Sequence, residues 1–304
     1  MIALESLRRA GLPAIMALVL LSSASQAQQS HPTPEDAAAA LAAAVKSGPS
    51  DILKVLGEAA DDIVSSGDEI ADADTRQRFT SMYDTKHSIK AEGNKKAMLI
   101  LGADDFPFPI PLVNSKSGWE FDTDQGRIEI LYRRIGRNEL DAIQTCLAFV
   151  DAENEYADKD RGDGAGVYAQ RIVSTPGKKD GLFWRDDRDP SPLGELAAQA
   201  SAEGYKVDGQ GAPYHGYYFR ILQGQGSDAP GGAFNYVVKG KMIGGFALIA
   251  YPAEYGNSGV MTFLVNHAGT VYQKDLGNNT EVIARRVTLF DPDQTWKKVD
   301  AAKP

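Results

Sequence analysis

The 304-residue chain holds a single cysteine, Cys146, so no disulfide can form within it and packed cores must supply its stability. Cys146 sits in the apolar-periodic stretch Ile143–Leu147 and reads as a buried, inert thiol rather than a nucleophile. Histidine is scarce too. His31, His87, His215 and His267 lie far apart, and none stands three to five residues from another, so zinc-ligand spacing is absent. Basic residues (32) are outnumbered by acidic ones (41), and no Lys/Arg stripe locally reverses the net charge of −9. Such a surface repels nucleic acid and anionic membrane. Beyond the N-terminus no segment approaches the ~18 uninterrupted apolar residues that span a bilayer. The longest candidate, Met242–Pro252, is broken by Gly244 and Gly245. Phosphate-loop chemistry is missing as well: Gly209-Gln-Gly211, Gly224-Gln-Gly226 and Gly231-Gly232 lack the Lys-Ser/Thr ending. Ser258 lacks the G-x-S-x-G elbow of a hydrolase nucleophile.

What the N-terminus does carry is the pattern of a cleavable signal peptide. Arg8 and Arg9 form a positive segment, Ala10–Leu21 is apolar and uncharged, and Ser25-Gln26-Ala27 is a small-x-small site. The apolar run would cover roughly 18 Å as a helix, short of a ~30 Å hydrocarbon core. Cleavage is expected after Ala27. No cysteine follows the run, so neither a lipid nor a retained membrane anchor is expected. The expected location is the periplasm or the medium.

The remaining chain is long enough for two domains, and its elements fall in the order helices, strands, helix, strands, an α+β plan. Residues 28–32 read as a tail. Thr33-Pro-Glu-Asp36 opens a helix that Gly48-Pro49 ends, a second segment follows from Ile52 to Val64, and a third from Asp72 to Thr85. Ala97–Gly102 and Gly118–Asp122 read as strands. Between them, Phe106–Val113 alternates proline with large apolar residues, as an edge or bulged strand would. Ile128, Leu131, Ile135, Leu140, Ile143, Leu147 and Val150 then recur at helical spacing. Asn138-Glu-Leu-Asp141 resembles a fresh N-cap, so two helices are expected to meet near Gly136 and to divide an N-terminal domain (33–136) from a C-terminal one (137–290). One kinked helix bridging both is the alternative. Tyr168–Val173 and Leu193–Gly204 read as short helices. Strands are expected at Tyr214–Leu222, Phe234–Val238, Phe246–Tyr251, Val260–Asn266 and Val271–Asp275. A helix near Thr280–Leu289 and a polar tail from Asp291 complete the plan.

Two constellations invite chemistry. Asp158, Asp160 and Asp163, interleaved with Gly162 and Gly164, could wrap Ca²⁺, which takes roughly six to eight oxygen ligands. The spacing departs from an EF-hand loop, and an ordinary solvated turn is the other reading. The segment Tyr214-His215-Gly-Tyr217-Tyr218 could form an aromatic pocket with His215 as acid or base, or a tyrosine face that binds glycan or protein. A strand-edge histidine packed among tyrosines is the plainer alternative. No other cofactor is expected.

The stretches "FPFPIPLV", "GWEFDT", "RRIGRNELDAI", "STPGKKDGLFW", "YHGYYFRIL", "MIGGFALIAYPAEYGNSGVMTF" and "VYQKDLG" run from Phe106 to Gly277. Together they resemble the bacterial envelope family known as domain of unknown function 2950, a likeness that extends from about Thr33 to Trp296. The resemblance implies an exported protein and transfers no catalytic residue. The first half resembles the nuclear-transport-factor-2-like cone, in which a curved sheet wraps a helix. In the second half, "EYA", "GVYA" and "SGVMTFLVNHAGTVYQKD" are similar to pilin-like globular heads, although the first domain occupies the place of a pilin's filament-building helix. Three functions follow as expectations: an exported accessory protein that binds an envelope protein or glycan; an envelope hydrolase with a site near His215; or a calcium-stabilised structural module.

Overall fold

The computed structural model describes residues 28–186, 188–206 and 211–299. The expected signal peptide, Met1–Ala27, lies outside the described residues, as do residues 300–304. Helix α1 (Pro34–Ser47) begins as its sequence dictates: the Thr33 hydroxyl accepts from the Asp36 amide at 3.0 Å, and Glu35 and Asp36 sit at the positive end of the dipole. Gly48, at φ +132°, turns the chain into α2 (Pro49–Leu56). A 3₁₀ turn at Glu58–Ala60 leads to α3 (Asp61–Val64), and Asp68 caps α4 (Glu69–Thr85).

An antiparallel sheet follows: β1 (His87–Ala91), β2 (Lys96–Leu101), β3 (Phe106–Pro107), β4 (Leu112–Ser115) and β5 (Gly118–Phe121). Its order is β1-β2-β4-β5, with β3 also paired to β2. The proline alternation acts as expected. Prolines supply no amide donor, so the ladder lapses between β3 and β4. β1 is a strand that the apolar pattern of "HSIKA" conceals, since four of its five residues face solvent. Ala37 and Leu41 of α1 and Ile52 and Val55 of α2 close over Leu112 and Phe121 to make this half's core.

Helix α5 (Thr123–Ala157) is continuous over 35 residues, about 50 Å at 1.5 Å per residue. The two-helix reading around Gly136 is thereby corrected. Gly136 has open space around it, and a lone exposed glycine weakens a helix without ending it. The apparent cap residues serve tertiary contacts. Asn138 Nδ2 donates to the Ser258 carbonyl at 2.9 Å, and Glu139 Oε1 accepts from the amides of Val260 and Met261 at 3.0 and 2.9 Å.

After α6 (Gly194–Ala202) come β6 (Tyr217–Leu222), β7 (Gly224–Gln225), β8 (Phe234–Asn235), β9 (Val237–Val238), β10 (Lys241–Met242), β11 (Ala247–Pro252), β12 (Met261–Asn266), β13 (Tyr272–Asp275), α7 (Thr280–Arg286) and β14 (Lys297–Lys298). The main sheet is antiparallel in the order β14-β13-β12-β11-β6. The whole of β11 is buried. Leu248 faces the α5 side, while Ile249 and its register partner Arg220 face α7; Arg220 Nη2 donates to the carbonyls of Ala284 and Val287. The architecture is α+β, as the order of elements predicts.

Two further expectations change. Tyr168–Val173 is not helical: Tyr168 bridges to Met242, Val173 bridges to Phe183, and the Ala169 amide donates to the Glu153 carboxyl at 2.8 Å instead of to a helical carbonyl. The stretch from Asp291 is tied in rather than loose, since β14 pairs with β13 and the Val299 amide reaches the Val271 carbonyl at 2.9 Å.

The two halves meet along a polar seam. Asp68, 2% exposed, accepts at Oδ1 from the amides of Ile70 and Ala71, and at Oδ2 from the Tyr205 hydroxyl (2.8 Å) and the Gly216 amide (2.9 Å). Arg134 of α5 donates to the carbonyls of Asp62 and Ile63 on one side and to Asn257 Oδ1 on the other. Asn257 Nδ2 in turn reaches the Ser65 carbonyl at 2.9 Å.

Candidate functional site

Between α5, α6 and the main sheet lies a cavity of about 420 Å³. Phe149 of α5, Leu196 and Ala200 of α6, and Phe219 and Leu248 of the sheet supply apolar walls, while Tyr205 and Tyr214 close one end. Helical spacing turns Thr145 and Phe149 toward the cavity, and strand alternation sends Phe219 inward and Arg220 outward. A site with mostly apolar walls and a few polar groups at its edge is the usual form of a small-ligand pocket.

The tyrosine end has fixed polarity. Burial, and then the Asp68 carboxylate that its hydroxyl touches, push the Tyr205 phenol far above its ordinary value. Burial and the charges of Glu203 and Asp141 push Tyr214 up to about 12. Both phenols are therefore protonated at neutral pH. His215 stands just outside, at φ +48°, with Nε2 facing Glu203 Oε2 at 3.1 Å and Nδ1 facing Asp141 Oδ2 at 3.7 Å. Its ring centroid lies 4.2 Å from that of Tyr214 and 5.6 Å from that of Tyr205. Both ring nitrogens are thus turned to carboxylates.

The expected tyrosine face is taken apart by the strand. Tyr214 lines the cavity and His215 adjoins it. Tyr217 is fully buried, its hydroxyl donated to the Met261 carbonyl at 2.9 Å. Tyr218 lies on the opposite face of β6 from Phe219 and packs beside Tyr251, ring centroids 5.5 Å apart. Ser258 belongs to a turn: its Oγ accepts from the Glu254 amide at 2.9 Å. Cys146 is fully buried, and burial pushes its thiol up to about 12, as suits an inert core residue.

Asp158, Asp160 and Asp163 are not brought together as a cation cage. Asp158 caps the end of α5, and Asp160 Oδ1 accepts from the amides of Gly162 and Gly164 at 2.8 and 2.9 Å. Asp163 faces Lys241 Nζ at 3.6 Å. Among the described residues no three His, Cys, Asp or Glu side chains are grouped to hold a metal ion. The glycines that suggest a wrapping loop are spent on the turn that Asp160 closes.

Several residues of this region escape a sequence reading. Asp141 and Glu203 meet His215 only through folding. Tyr205 finds Asp68 across 137 positions of sequence. Asp68 itself is signalled, since Ser66-Gly-Asp-Glu69 before a helix is an N-cap pattern. Glu153 is signalled as well: it follows Cys146 and Phe149 on the helical face that continues to Tyr156, where an apolar residue would be ordinary.

Comparison with curated proteins finds no match, and comparison with solved structures finds none. The family described as "Protein of unknown function (DUF2950)" matches residues 28–299, nearly the whole described chain and both halves of the fold. The chain belongs to the DUF2950 family.

Proposed function

We propose that this protein is exported through the leader Met1–Ala27 and serves in the cell envelope as a binding or accessory protein, taking an apolar or aromatic group into the cavity beside Tyr205 and Tyr214. The observation that carries this reading is the cavity itself: about 420 Å³ walled by Phe149, Leu196, Phe219 and Leu248, with Tyr205 and Tyr214 at one end. Such a space accepts the aromatic side chain of a partner protein or a small amphipathic molecule. No described helix is long and apolar enough to cross a membrane.

Binding is favoured over hydrolysis because His215 turns both nitrogens to Glu203 and Asp141, and the Ser258 hydroxyl is engaged with the Glu254 backbone. The calcium reading is weaker still, with Asp160 Oδ1 already engaged by two backbone amides.

The test has two arms. Edman or mass-spectrometric sequencing of the protein from the envelope fraction should begin at Gln28; an intact Met1 in the cytoplasm rejects export. Separately, an environment-sensitive naphthalene dye should bind the purified protein saturably, and Leu196→Trp, which fills the cavity, should abolish that binding. Unchanged dye binding in the Leu196→Trp protein rejects the cavity as the site.

A further inference from the structure

A second cavity of about 410 Å³ lies beside the first, sharing Arg171 with it, and its character is opposite. Its lining includes Arg161, Arg171, Asp163, Asp180 and Tyr156. Arg161 is the unusual member. Its side chain is only 5% exposed. Its guanidinium carbon sits 5.2 Å from the Tyr156 ring centroid and 4.6 Å from that of Trp184, so two aromatic rings hold it in place.

The hydrogen bonding of that group is incomplete in a specific way. Nη1 faces Asp189 at 3.7 Å, too far for a hydrogen bond, and Asp189 is already gripped by Lys179 at 2.6 Å. Nε and Nη2 are buried without a partner among the described residues. Those two nitrogens form one edge of the guanidinium, with two N–H bonds running side by side. That is the fork that receives both oxygens of a carboxylate or phosphate. Arg127 uses the same edge on Asp62, both nitrogens donating to the single oxygen Oδ2 at 2.8 and 2.6 Å. A buried donor left unpaired costs free energy that a ligand oxygen would recover.

We propose that the Nε–Nη2 edge of Arg161 binds the carboxylate of a small ligand admitted through this cavity. The charge of the lining selects the ligand class. Arg161 and Arg171 are balanced by Asp163 and Asp180, and the acids are engaged: Asp180 accepts from the Thr175 amide and hydroxyl at 2.7 and 2.8 Å, and Asp163 faces Lys241. A singly charged carboxylate meets less repulsion from these two acids than doubly charged phosphate or sulfate does. Arg171, with no acid within 4.0 Å among the described residues, stands ready for a second polar group of the same ligand.

The test is a titration of the purified protein with the singly charged acetate and lactate, followed through the arginine Nε–H resonances, with inorganic phosphate and sulfate as parallel arms. The resonance that Arg161→Lys removes should move saturably with the carboxylates and stay still with phosphate and sulfate. By calorimetry Arg161→Lys, which keeps the charge and loses the fork, should bind lactate about tenfold more weakly or not at all. An unmoved Arg161 resonance in the unaltered protein overturns the proposal, whatever the variant does. So does an equal response to phosphate or sulfate, or full affinity in Arg161→Lys.

Discussion

Asp68 and Glu153 are both carboxyl groups withdrawn from water, 2% and 0% exposed, and their surroundings differ in kind. Asp68 lies in the seam between the two halves with four donors on its two oxygens, two from its own helix and two from the other half of the molecule. Glu153 lies within the core under α5, where Oε2 receives the Ala169 amide and Oε1 has no partner among the described residues. No cation pairs with it among the described residues, and burial raises its pKa well above the ordinary value of 4.5. A buried acid thus stabilises when its oxygens are saturated and costs stability when one is not. Asp68 fastens two halves together. Glu153 fixes one loop amide, and burial favours its protonated form.

The largest effect should come from Asp68→Ala. It removes all four acceptor contacts and strands the Tyr205 hydroxyl and the Gly216 amide, so chemical denaturation should report a loss of about 3–5 kcal/mol. A loss near zero would break the comparison at once. Glu153→Gln should act in the opposite sense. In the folded state Glu153 keeps its proton above pH 4.5, where the unfolded chain releases it, so the folded state binds more protons and stability falls as pH rises. That stability is fully present below pH 4.5, is lost progressively up to the folded-state pKa, and does not change beyond it. Unfolding measured across pH should show a slope of about 1.4 kcal/mol per pH unit within that window, absent in Glu153→Gln, which becomes the more stable protein at neutral pH. Tyr205→Phe removes one donor from Asp68 and should cost about 1.5–3 kcal/mol. In a double-mutant cycle with Asp68→Ala the two losses should fall short of their sum, because they share one contact. The smallest effect sharpens the frame on which Glu153 rides. Gly136→Ala, with open space for its methyl group, should stabilise α5 by roughly 0.8–1 kcal/mol, read as a raised Tm.

The contrast also explains what could be read in advance. Caps and apolar periods are local, so Thr33 and the proline-broken strand around Phe106–Val113 announce their roles in a few residues. Asn138 and Glu139 carry the same local signature as a helix start, yet their side chains are claimed by Ser258, Val260 and Met261 more than a hundred positions away. Ala169 loses its helix for the same reason, its amide taken by Glu153. The cavity by Tyr214 was half legible. An aromatic cluster points to the region, but strand alternation hides Tyr217 in the core and turns Tyr218 away, while Phe149 and Leu196 arrive from distant helices. Arg161 gives no sign in an acidic, glycine-rich loop, because what sets it apart is the company of Tyr156 and Trp184.

Cys146 has a practical consequence. Its sulfur is wholly enclosed and its thiol is held as the unreactive neutral form, so an alkylating reagent has no target until the core around α5 opens. With no second thiol to confuse the signal, the rate at which a reagent mass appears on this chain becomes a clock for the opening of that core, usable in crude cell extract where spectroscopy fails.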